Sequence, residues 1–88
     1  MYIFKNLPKF EEIREHKKVL AYLNLRDLCK KYQKQKHFLL EGKLQSVDFK
    51  KRKPYSKDIY YFRVDKKFRA YCYFDKKILR VFKIDDHQ

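Results

Sequence analysis

Two arginines, Arg63 and Arg69, stand within closely spaced aromatic runs. These are Tyr60-Tyr61-Phe62-Arg63 and Phe68-Arg69-Ala70-Tyr71-Cys72-Tyr73-Phe74. A histidine, His87, follows the last apolar stretch in Ile84-Asp85-Asp86-His87-Gln88. These residue types suit cleavage of RNA. Attack of a ribose 2′-hydroxyl on its own phosphate needs a base for the hydroxyl proton, cations for the charge on the phosphorane, and an acid for the leaving oxygen. Imidazole titrates near neutrality and can do either proton step. Two guanidiniums present planar donor forks to a phosphate, and a ring such as Tyr61 can stack on the substrate base. That route requires no metal or other cofactor. The plainer alternatives are a solvated strand face with incidental arginines, and a frayed tail at His87. His16 and His37 lie in helical, lysine-rich surroundings and read as surface residues. There is no Walker loop, dinucleotide fingerprint, nucleophile elbow or zinc-ligand spacing.

Positioning these side chains falls to strands. Three runs rich in aromatic and β-branched residues, Ile59 to Val64, Phe68 to Phe74 and Ile78 to Ile84, are separated by Asp65-Lys66-Lys67 and Asp75-Lys76-Lys77. Spacers this short predict an antiparallel meander. In such strands alternate residues share a face. Phe68, Ala70, Cys72 and Phe74 fall on one side of the middle strand, with Arg69, Tyr71 and Tyr73 on the other. In the first strand Tyr60, Phe62 and Val64 oppose Ile59, Tyr61 and Arg63. One sheet face is therefore apolar, and the other carries Tyr61, Arg63, Arg69, Tyr71 and Tyr73, a mixture suited to bases and phosphates.

The N-terminal half predicts helices. Tyr2-Ile3-Phe4 reads as a short strand, and Asn6-Leu7-Pro8 as a helix start with Asn6 as cap. Glu11 and Glu12 then sit where the helix dipole favours acids, and Phe10, Ile13 and Leu20 keep helical spacing. Asn24 offers a second cap. Leu25, Leu28, Cys29, Tyr32 and Leu39 mark one face of a second helix, and Gly42 suits its C-terminus. Residues 43–57 are polar and basic. The expected class is α+β: a short N-terminal strand, two helices and a three-stranded antiparallel meander, in one domain over residues 1–88.

The chain has 24 Lys and Arg against 11 Asp and Glu, for a net charge of +13 over 88 residues. A field of that sign gathers polyanions; a lysine-rich background composition is the alternative source. Hydrophobic residues make up 44% of the chain, with eight Tyr and eight Phe, enough to fill a modest core. No apolar run is long enough to span a bilayer, and charged residues interrupt any signal-peptide pattern at the N-terminus. Cys29 and Cys72 have neither metal-ligand nor redox spacing and are expected to be buried thiols in a reducing compartment. The expected location is the cytoplasm, with no membrane partner.

The stretch Tyr60 to Phe74, followed by Ile84-Asp85-Asp86-His87-Gln88, resembles the C-terminal half of the RelE/ParE toxin superfamily, and is more similar to its RelE, HigB and YafQ-type members. The shared pattern is a strand ending in basic residues, a tight turn, an aromatic-Arg strand, and a final strand ending near a His. It covers residues 44–88. Over the helical half the likeness is one of architecture only. The resemblance implies a toxin that enters the ribosomal A site and cuts mRNA there, inhibiting translation, and that is neutralised by a cognate antitoxin. Carried across by position, Arg69 matches the family's phosphate-binding Arg. Arg63 matches a basic position on the preceding strand, and His87 the C-terminal acid or base. Lys43 lies near a position before the meander that is often His, Glu or Lys. Lys50, Lys51, Arg52 and Lys53 would meet RNA phosphates on the ribosome, or else form a solvated loop. Two alternatives remain: a ParE-like inhibitor of DNA gyrase on the same fold, and a basic RNA-binding module without activity.

Overall fold

The computed structural model describes residues 9–86. The strand expected at Tyr2-Ile3-Phe4, the cap expected at Asn6 and the candidate acid or base His87 lie outside them. The fold is α+β, with two helices against a five-stranded mixed sheet. Strand β1 (Glu12–Glu15) leads into α1 (Lys17–Leu25) and α2 (Cys29–Leu40). The two-residue strand β2 (Lys50–Lys51) precedes the meander of β3 (Tyr60–Arg63), β4 (Phe68–Asp75) and β5 (Ile78–Asp86). The order across the sheet is β1-β5-β4-β3-β2, with β1 parallel to β5 and the other pairs antiparallel.

The expected helix from Pro8 is not formed over residues 12–15. There the chain runs as a strand, with Ile13 turned into the core and Glu12 and Arg14 outward. Its partners are Ile78 to Val81, and flanking backbone bonds from Glu11 to Lys77 (2.8 Å) and from His16 to Val81 (2.9 Å) extend the pairing. Helix α1 therefore begins at Lys17, where His16 Nδ1 accepts from the Lys18 amide at 3.1 Å, in place of the expected cap.

Asn24 does not cap α2. It lies within α1, and the break falls at Asp27, whose φ is 56°. Leu28 and Asp27 donate back to the carbonyls of Leu23 (2.8 Å) and Asn24 (3.3 Å), closing a Schellman motif that buries Leu23 and Leu28 together. Gly42 plays the expected part after α2. With φ of 78° it donates to Leu39 at 3.0 Å, while Lys43 donates to Phe38 at 2.9 Å.

The core fills the space between the helices and the inner sheet face. Val19, Leu23, Leu28, Tyr32 and Leu39 meet Phe62, Ala70, Cys72, Leu79 and Val81. Phe49 stacks on Tyr60 from the segment before β2, with ring centroids 5.5 Å apart. Leu25 and Cys29, expected on the buried helical face, are both exposed, because they fall on two separate helices: Leu25 ends α1, which buries Val19 and Leu23, and Cys29 opens α2, which buries Tyr32 and Leu39. Cys72 is buried as expected, and burial pushes its thiol far above the ordinary range. No helix among the described residues is long and apolar enough to cross a membrane.

A carboxylate on β1 shares the inward face with Ile13. Glu15 accepts from the Tyr32 hydroxyl at 2.7 Å and pairs with Lys36 at 2.9 Å. Burial, then donation to Glu15 and the charge of Glu15, raise the Tyr32 phenol well above its usual pKa. It therefore remains a donor throughout the ordinary pH range.

Candidate functional site

The meander places the two arginines directly opposite one another. In the β3–β4 register Arg63 pairs with Arg69 and Tyr61 with Tyr71, so all four share the outer face. The intervening turn is tied by Asp65, whose carboxylate accepts from the amides of Lys67 (2.8 Å) and Phe68 (2.9 Å) and from Lys31 Nζ (3.2 Å). Burial alone would raise the pKa of this carboxyl. The two amide donors and Lys31 outweigh it and hold the group below the usual aspartate value.

The outer ends of these strands enclose a depression of about 300 Å³. Arg63, Arg69 and Tyr61 line it, with Lys50 from β2 and Lys66 from the turn; Asp48 and Asp65 supply its carboxylates. Four cations thus face two carboxylates. Asp48 forms an ion pair with Arg63, and Asp65 is committed to the turn. Arg69, Lys50 and Lys66 form no ion pair among the described residues. The Arg69 guanidinium lies over the Tyr61 ring, 4.6 Å from its centroid, which holds the fork in place without neutralising it.

The rings continue across the sheet. Tyr61 and Tyr71 are 5.8 Å apart, and Arg52 covers Tyr71 at 5.2 Å. A bulge in β5 adds a further pair. Tyr71 is opposite Lys83 but Cys72 is opposite Val81, leaving Phe82 as the extra residue. Val81 and Ile84 therefore both reach the core, and Phe82 lies against Tyr73 at 5.8 Å.

The other expected site residues separate. Lys50 lines the depression and Arg52 sits on Tyr71. Lys51, however, turns to the inner side of β2, where it pairs with Asp58 at 2.9 Å and lies 5.7 Å from the Tyr60 centroid. It is therefore a bracing residue of the fold rather than part of a free basic loop. Lys53 precedes Pro54 beside a separate small hollow lined also by Arg52 and Lys57. Lys43 does not line the depression. It lies 3.5 Å from Glu41 and over the Phe38 ring at 5.8 Å, at the end of α2. His87 lies outside the described residues, though β5 runs as far as Asp86, with Asp85 opposite Arg69 and Asp86 opposite Phe68.

Asp48, Asp65 and Lys66 line the depression but are not among the sequence-derived candidates. Lys66 was in principle readable, since a hairpin bringing Arg63 opposite Arg69 must put its turn beside both. Asp48 carries no local signal. It ends a 3-10 turn, Leu44–Val47, with φ of 53°, and reaches the site only through the pairing of β2 with β3.

As built, the depression can bind an anion with two guanidiniums and two ammonium groups and offer flat rings to a base. Among the described residues its lining contains no histidine. No family model matches the chain, and no curated protein is significantly similar to it.

Proposed function

We propose that the chain binds single-stranded RNA on the outer face of its sheet and cleaves it as a RelE-like, ribosome-dependent mRNA endoribonuclease, the toxin of a toxin–antitoxin pair. The observation that carries this reading is the opposition of Arg63 and Arg69 beside Tyr61, with Arg69 free of any carboxylate partner among the described residues. A guanidinium left without an internal anion in a ring-lined depression suits a phosphate whose base stacks nearby. The element order of strand, two helices and meander is compatible with the family's architecture.

In this reading Arg69 and Arg63 hold the scissile phosphate and stabilise the charge that builds on it. Tyr61 stacks on the base. His87, directly after the segment that runs beside Phe68 and Arg69, moves the proton. The 2′-oxygen bonds to phosphorus, the 5′-oxygen leaves with a proton, and a 2′,3′-cyclic phosphate results. The outer-face cations Lys50 and Arg52 meet neighbouring phosphates on the ribosome, and a co-encoded antitoxin neutralises the toxin.

The test is single-turnover mRNA cleavage on programmed ribosomes. Arg69→Ala should slow it by roughly a hundred- to a thousand-fold. His87→Gln should slow it by roughly a hundred- to ten-thousand-fold. Wild-type rates for both variants would remove this active site. Ribosome binding without cleavage by the wild type would leave an RNA-binding module.

A further inference from the structure

A second hollow, of about 400 Å³, adjoins the first. It shares Arg63, Asp65 and Lys66 with the sheet-face depression and continues onto α2, where Lys31, Lys34 and Gln35 line it. Residues three and four apart on a helix lie on one face, so these three form a single wall. The two hollows share lining residues from the β3–β4 turn and its flank. Lys34 and Lys66 form no ion pair among the described residues, and Asp65, which lines both hollows, is engaged with Lys31 and the turn amides, so cations outnumber carboxylates from Arg69 around the turn to α2.

Gln35 adds an independent observation. Its Nε2 donates to the Val64 carbonyl at 3.4 Å, which fixes the orientation of the amide. Its Oε1 is buried without a hydrogen-bond partner. A buried acceptor left unpaired costs stability, and a structural glutamine gains nothing from it. The side chain lines the hollow, so a shift of the amide on ligand binding would expose Oε1 to a donor.

We infer that this second hollow is a subsite for the nucleotide adjoining the phosphate held by Arg69, with Lys34 and Lys66 on its backbone and Gln35 Oε1 accepting from a ribose 2′-hydroxyl or a base amine. The inference rests on the RNA-binding reading above and extends it: the bound strand turns the corner from sheet to helix, so recognition spans several nucleotides. Lys31 takes part as a support, because its ammonium group is already engaged with Asp65.

The experiment measures binding of fluorescein-labelled single-stranded RNA, as dinucleotide and hexanucleotide, with matched DNA hexanucleotides. The proteins are wild type, Lys34→Ala, Gln35→Leu and Arg69→Ala, titrated over a range of salt. Lengthening the RNA should strengthen wild-type binding. Lys34→Ala should remove much of that gain, lower the log–log salt slope for the hexanucleotide by about 0.7, and weaken the dinucleotide, which has a single phosphate, less. Gln35→Leu should weaken the hexanucleotide; it removes the orphan acceptor and also the bond to the Val64 carbonyl, two changes of opposite sign, so the melting temperature of the free protein should move little. Weakening confined to RNA identifies the 2′-hydroxyl as the donor; equal weakening of DNA identifies a base amine. Wild-type hexanucleotide binding by both α2 variants, with Arg69→Ala still impaired, would overturn the subsite and leave the sheet-face reading intact. Unchanged hexanucleotide affinity in Gln35→Leu would also overturn it, whatever its melting temperature. Absence of RNA binding by the wild type at either length would overturn both.

Discussion

Asp48 is the residue on which the charge of the sheet-face depression turns. It is the only carboxylate there paired with a guanidinium of the site, Arg63, and it occupies the left-handed region with φ of 53°. Asparagine tolerates that conformation as well as aspartate does. Asp48→Asn therefore removes a negative charge at little cost to the backbone. If the depression binds phosphate, RNA affinity should increase by about 1.4- to 5-fold at low salt, corresponding to roughly 0.2–1 kcal/mol for an exposed pair. The gain should fade as salt screens it. Filter binding at two ionic strengths checks this, and unchanged or weaker binding would mean that Arg63 depends on Asp48 for its position. The arginines and Tyr61 were legible from strand parity because alternation is a local property. Asp48 was not, because its place depends on the pairing of β2 with β3, two segments separated by the irregular chain around Pro54.

Among the elements, the β3–β4 hairpin is held by Asp65. Asp65→Ala removes two hydrogen bonds from backbone amides and the pairing with Lys31, and a destabilisation of about 1.5–3 kcal/mol is expected for hydrogen bonds to a charged group. Folding lowers this carboxyl's pKa. Its stabilisation is therefore complete above the unfolded value of about 3.9 and disappears as pH falls through the lower folded value. Urea unfolding should separate wild type from Asp65→Ala at pH 7 and bring them together in strong acid; a difference independent of pH would assign the effect to the turn's shape alone. In the helical layer Tyr32→Phe leaves Glu15 with Lys36 but without its phenolic donor. A similar destabilisation of about 1.5–3 kcal/mol is expected, read as a shift in the urea midpoint. The meander was readable because its three strands are joined by short turns and carry dense aromatic and β-branched runs. Strand β1 was not: four residues with one buried apolar side chain, Ile13, show no period, and their partners lie at Ile78 to Val81. The break at Asp27 was also hidden, since an aspartate with φ of 56° resembles any other polar residue in a helical stretch.

For the whole molecule, the net charge of +13 is not evenly available. Every acidic residue except Asp27 forms an ion pair within the described chain. The acids are thus engaged internally, and the surplus cations, including Arg69, Lys50, Lys66, Lys34 and Arg52, have no ion-pair partner among the described residues. This gives the basic run Lys50 to Lys53 a graded set of expectations that its composition alone did not. Lys50→Glu with Arg52→Glu reverses charge on the outer face without breaking an ion pair. RNA affinity should fall, and the log–log salt slope should decrease by about 1.4, or about 0.7 for each phosphate that is no longer neutralised on a single strand. Lys51→Glu sets two carboxylates together at Asp58 beside the Tyr60 ring, so its effect should appear first in the melting temperature. Lys53→Glu should do least to either. Salt-dependent binding and thermal melts on the same three proteins distinguish these cases. Equal effects from all three would show that only net charge matters, whereas an unchanged slope in the Lys50 and Arg52 double variant would remove the outer face from the RNA-binding surface.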